Sequence, residues 1–167
     1  AYDRAIEINP NDALLFTESD KIYESANAAL DARLKRLERH LKTVMKHDDA
    51  VMRLLSLYNV MGKYDKAIQI MDKRHFHLWE GGGQIHDIYV DSHLLKGLSL
   101  LAKKSYQKAI GEFDLANQYP TNLEVAPSHR GGYEVKAYYL TGVAYEGLNE
   151  KAKAQEFFEK AASAKYP

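Results

Sequence analysis

Apolar residues fall along this chain in short blocks separated by polar turns, and two of the blocks carry the same landmarks. When Gly97 is set against Gly142, Ala109, Phe113 and Ala116 follow the first glycine at the offsets at which Ala154, Phe158 and Ala161 follow the second. A glycine, then a small residue, an aromatic and another small residue fit two short antiparallel helices in close contact. The glycine on the first helix and the alanine early on the second stand where the helices cross, because larger side chains there would push them apart. The aromatic on the second helix is expected to fill the space toward the neighbouring hairpin. In the last copy Tyr138 and Tyr145 take the bulky positions of the first helix, and Gly147-Leu148-Asn149 supplies the turn.

Two weaker copies precede these. The stretch around Tyr58, Gly62, Tyr64 and Ala67 reads as a helix, a turn and the start of a second helix, with Met71 at the aromatic position. Further upstream, Phe16, Tyr23 and Ala32 fit the first half of another copy, whereas the basic stretch that follows fits its second half poorly. The opening segment reads as a lone second helix, with Tyr2, Ala5 and the terminating Pro10 at the expected spacing. The predicted organisation is a single domain over 1–167. It comprises a lone helix (1–10), a degenerate repeat (13–46), a repeat (48–73), an insert (74–87), a repeat (90–120), an insert (121–134) and a last repeat (135–167). Because the chain opens with Ala1 inside a helix, it is expected to be a fragment of a larger protein.

The pattern is that of the tetratricopeptide repeat (TPR), and the chain resembles TPR proteins over most of its length. The resemblance implies an all-α fold, a TPR-like α-α superhelix of roughly seven to nine helices paired as antiparallel hairpins. The spacing is wider than in a standard array: successive later copies lie about 42 and 45 residues apart, against about 34 for the usual repeat. The surplus sits in the two inserts, which carry the Gly and Pro of ordered loops. Insertions of this kind gather on one side of a stacked array and often mark its working face.

At the inserts a narrower resemblance emerges. Arg74, Phe76, His77, Trp79, Glu80, Gly81 and Gly82 match a segment reading Arg-x-Phe-His-Pro-Trp-Glu-Gly-Gly-Glu-Gly-Lys, with Leu78 in place of the proline. Tyr119, Pro120, Asn122 and Leu123 match a second segment, Tyr-Pro-x-Asn-Leu-Gly-Glu-Gly-Lys, before the chain diverges into Glu124-Val125-Ala126-Pro127. His47-Asp48-Asp49-Ala50 is similar to a further landmark. These segments resemble the C-terminal TPR arrays of large bacterial proteins of uncharacterised function that carry an N-terminal β-sandwich, mutarotase-like domain. The resemblance implies a bacterial parent protein, cytoplasmic or periplasmic, whose own N-terminal domain is one candidate partner.

Composition narrows the function classes. Apolar residues make up 46% and charged residues 28%, which is ordinary for a folded chain. Lysine plus arginine equals aspartate plus glutamate, at 23 each, so no net field recruits nucleic acid. The basic row Lys35, Arg36, Arg39, Lys42 and Lys46 on a predicted helix over 31–46 lacks interleaved aromatics and reads as a solvated face. With no cysteine there is neither a disulfide, a thiol nucleophile nor a Cys-ligated zinc. No apolar run approaches the roughly 20 residues that span a bilayer.

Candidate chemistry concentrates in the first insert. Trp79 could stack on a sugar ring while His77 and Glu80 hydrogen-bond its hydroxyls; equally, Trp79 could plug the gap between hairpins and Glu80 accept backbone N–H bonds. His75 and His77 lie two apart in this loop and His86 and His93 seven apart on a helix, yet no metal-binding motif is formed, so no metal and no cofactor is expected. Nothing local gathers a nucleophile, base and acid, so the chain is not expected to be an enzyme. The candidate binding residues are Arg74, His77, Trp79, Glu80, Asn122 and Tyr138. The expected role is docking a protein, a peptide or the parent's own domain, with carbohydrate recognition at the Trp79 loop as the alternative.

Overall fold

The computed structural model describes residues 2–77, 84–126 and 133–164. Among them every regular element is helical: α1 (Tyr2–Ile8), α2 (Ala13–Ser25), α3 (Leu30–Arg39), α4 (Leu41–Val44), α5 (Asp48–Val60), α6 (Tyr64–Lys73), α7 (Gln84–Ala102), α8 (Tyr106–Ala116), α9 (Tyr133–Gly147) and α10 (Lys151–Ser163), with a 3-10 turn at Thr121–Leu123. The fold is all-α and TPR-like. The chain forms two compact units, Ala1–Ala67 and Ile68–Pro167, and the division falls inside α6.

One turn is used four times. It joins α2 to α3, α5 to α6, α7 to α8 and α9 to α10, and each copy places one residue in the left-handed region: Asn27 (φ 52), Gly62 (φ 71), Lys104 (φ 57) and Asn149 (φ 62). The N–H of the next residue reaches back five positions, from Ala28 to Tyr23, Lys63 to Tyr58, Ser105 to Leu100 and Glu150 to Tyr145. The left-handed residue itself donates to the carbonyl three positions back in all four. This is the Schellman closure, which satisfies the last carbonyls of a helix while reversing the chain. The first hairpin, degenerate in its landmarks, therefore keeps the turn of the others.

In the unit 1–67, Phe16, Leu34, Leu37, Val51, Leu54 and Leu55 form the buried centre, with α5 packed against both α2 and α3. An ionic network is buried beside it. The Asp20 carboxylate, 1% exposed, accepts from Arg33 Nε (2.9 Å) and Arg53 Nε (2.7 Å), and Arg33 and Arg53 also reach Glu24. Burial pushes the Asp20 carboxyl up, but the hydrogen bonds and attraction from the two guanidiniums outweigh it and hold its pKa below the usual value.

The single helix expected over 31–46 is broken at His40, which leaves helical geometry (φ −109, ψ 28) while its ring packs on Phe16 at 4.9 Å. Thr43 Oγ1 then anchors the short α4 by donating to the Pro10 carbonyl at 3.0 Å. This break accounts for the tenth helix. The basic row is thus split at His40: Lys35, Arg39, Lys42 and Lys46 are exposed, whereas Arg36 is half-buried over the Tyr23 ring and pairs with Asp3.

In the unit 68–167, α7 packs on α8, α8 on α9 and α9 on α10, with α7 also touching α9. The landmark glycines are where close approach requires them. A Cβ added at Gly97 would overlap the Phe113 ring, and one at Gly142 the Phe158 ring. The expected role of the aromatic gains a second part: Phe113 and Phe158 cover the glycine of their own hairpin. The inter-hairpin space is served by Tyr106 of α8, whose ring lies where a side chain on Gly147 at the end of α9 would be.

Candidate functional site

The two inserts meet. Phe76, 1% exposed, sits between exposed His75 and His77, and Leu123, also 1% exposed, closes the 3-10 turn of the second insert. Asn122 joins them. Its Nδ2 donates to the carbonyls of Met71 (2.7 Å) and Arg74 (2.8 Å), and its own carbonyl accepts from Phe76 N at 2.8 Å. Beyond the turn, Glu124 adopts φ 53, and its Oε1 lies 2.7 Å from His75 Nε2 and 3.8 Å from His77 Nδ1.

The base of this lobe is packed by two histidines of α7. The His86 ring, 5% exposed, stacks on Tyr119 at 4.1 Å and 9°, and its Nε2 lies 3.1 Å from the Gln118 carbonyl. His93, 3% exposed, faces Glu112 across 2.7 Å; burial lowers its pKa and the Glu112 hydrogen bond only partly opposes this. The neutral ring then donates from Nδ1 to the carboxylate. His86 and His93 are thus packing and hydrogen-bonding residues of the helix interface.

The sequence-derived candidates fall in three places. Arg74 and Asn122 belong to the clamp, with the Arg74 guanidinium 5.3 Å from the centre of the Phe76 ring. His77 is exposed beside Glu124. Tyr138 is half-buried against Phe157 of α10 at 6.2 Å, whereas its neighbour Tyr139 is 55% exposed. Trp79 and Glu80 lie outside the described residues, as do the rest of 78–83 and 127–132. Sequence reasoning left out Glu124, which is 49 positions from His75 and recognisable only once the inserts are seen to join.

A second surface lies on α7 and α9. Counting back six positions from the landmark glycines gives Asp91 and Lys136, and three positions gives Leu94 and Tyr139; one position forward gives Leu98 and Val143. Asp91 and Lys136 sense each other across the two helices. Burial and the nearby Asp87 raise the Asp91 carboxyl while Lys136 pulls it down. Leu98 is 42% exposed, so this strip offers an acid, a base, an aliphatic and an aromatic side chain on adjacent first helices.

Comparison with known families and structures fits this architecture. The tetratricopeptide-repeat family model matches residues 135–166, the hairpin that holds Gly142 and Phe158. The chain carries a tetratricopeptide repeat. Its fold is similar to a crystal structure of MamA, at 19% identity and a TM-score of 0.60 over 97% of this chain and 83% of that one. A second MamA crystal structure aligns at 18% identity and a TM-score of 0.59, covering 96% of this chain and 76% of that one. A crystal structure of YrrB, a TPR protein with an unusual peptide-binding site, aligns at 18% identity with a TM-score of 0.42 over 96% and 90% of the two chains.

Proposed function

We propose that the repeats at α7–α10 dock an extended protein segment along the exposed sides of α7 and α9, as a scaffold without catalysis of its own. The observation that carries this reading is the strip of Asp91, Leu98, Lys136 and Tyr139: Asp91 and Lys136 hold the same position of two successive first helices, and Leu98 and Tyr139 are exposed about one turn apart in that register. Stacked repeats present side chains from equivalent positions to one ligand, so binding is divided among several helices. An exposed tyrosine and leucine supply contact area, and the flanking charges of opposite sign set the direction of the bound chain. The partner is a peptide segment of another protein or of the same polypeptide, within a bacterial parent.

Panning a random phage-displayed peptide library on the purified chain tests this. Enriched peptides should lose affinity about 5- to 30-fold with Tyr139→Ala or Leu98→Ser, the loss of roughly 1–2 kcal/mol typical of a contributing interface residue. Val60→Ser, at an exposed position of the other unit, should leave affinity unchanged. Peptides that bind the Tyr139 and Leu98 variants as they bind the parent chain would contradict the proposal.

A further inference from the structure

We propose that His75, His77 and Glu124 form a three-ligand site for a divalent first-row transition metal ion, with zinc the best fit. The inference stands apart from the docking strip and uses none of its residues. His75 Nε2, His77 Nδ1 and a Glu124 carboxylate oxygen all lie within 4.8 Å of one another, the two measured approaches to Glu124 Oε1 being 2.7 and 3.8 Å. Bonds of about 2.0–2.2 Å to a tetrahedral zinc place neighbouring ligand atoms about 3.3–3.5 Å apart. The two measured separations bracket that spacing.

The type of donor selects the type of metal. Two imidazoles and one carboxylate suit zinc, nickel or copper, whereas magnesium and calcium take oxygen donors. A simple ion pair needs only one histidine. Here two imidazoles, with ring centres 4.9 Å apart, converge on one carboxylate oxygen.

The backbone around the site is held on both sides. Phe76 is buried while His75 and His77 on either side of it are exposed, so both imidazoles lie at the surface. In the second insert, Leu123 is buried and Glu124 has left-handed backbone, and the Glu124 carboxylate lies at 2.7 Å from His75. Two of the three hydrogen bonds at Asn122, to the Arg74 carbonyl and from Phe76 N, join the segments at residues next to His75 and His77 and two from Glu124. A metal site needs such support, because ligands on loose segments lose affinity to ordering entropy. The ligand side chains are 54%, 69% and 39% exposed, so an ion can reach them from solvent.

Calorimetric titration of zinc into the chelator-treated chain, with any affinity tag removed, tests the assignment. One equivalent should bind at micromolar protein, and His75→Ala, His77→Ala and Glu124→Gln should each weaken binding at least tenfold. Glu124→Gly guards against a folding artefact: glycine suits the backbone at φ 53, so this variant should melt no lower than the parent yet bind zinc at least tenfold more weakly. His47→Asn keeps the helix cap of α5 and should leave zinc affinity unchanged. Failure of the parent chain to take up zinc, or uptake equally tight in the His75 and His77 variants, would overturn the proposal.

Discussion

Two glycines in one hairpin should respond in opposite directions to the same added methyl group. Gly97 lies under the Phe113 ring, where a Cβ would overlap ring carbons, whereas Gly111 on α8 has nothing within 4 Å of its added Cβ. Gly97→Ala should therefore destabilise the chain by about 1–3 kcal/mol through overpacking, despite the better helix propensity of alanine. Gly111→Ala should stabilise it by about 0.5–1 kcal/mol. Urea denaturation of the two variants beside the parent measures both. The repeated offsets after Gly97 and Gly142 made the glycine legible in the sequence. Which ring would cover it was not, because matching offsets identify residue types and not the helix each side chain meets. The same limit hid Glu124: nothing in its local sequence ties it to His75, and only the Asn122 clamp brings them together.

At the scale of elements, the four Schellman turns carry the regularity that the landmarks lose. Their left-handed residues, Asn27, Gly62, Lys104 and Asn149, lie about 35, 42 and 45 residues apart, so the first two hairpins keep nearly the standard repeat length. The sequence concealed this because α3 has the wrong composition for a second helix of the family pattern: its Arg33 serves the Asp20 network. Lys104 is the one residue of the four that is neither glycine nor asparagine, and left-handed backbone disfavours a lysine by about 1 kcal/mol. Lys104→Gly should raise stability by roughly that amount, read as a higher denaturation midpoint with an unchanged slope. A lower midpoint would mean that the Lys104 side chain contributes more than its backbone costs.

For the molecule as a whole, the balance of 23 basic and 23 acidic residues conceals local environments that titrate apart. Burial depresses His93, so its contribution to stability is present above the unfolded value of about 6.5 and is lost as pH falls through the lower folded value. Asp20, Glu24 and Glu38 are also depressed, and their contribution is lost at more acid pH, below the ordinary carboxylate values of 3.8 and 4.5. Asp91 acts the other way: its raised pKa means that protonation below that value relieves an unfavourable charge. Unfolding free energy measured from pH 8 to pH 3 should decline in two stages, and His93→Gln should remove the first without altering the second.

The docking strip is where the reading of function stands or falls. The most direct measurement is an amide NMR titration of the isotope-labelled chain with a peptide selected on it. Shifts should concentrate at Asp91, Leu98, Lys136, Tyr139 and their helix neighbours on α7 and α9. Shifts centred on α1–α5, or on the buried faces of α8 and α10, would contradict the account.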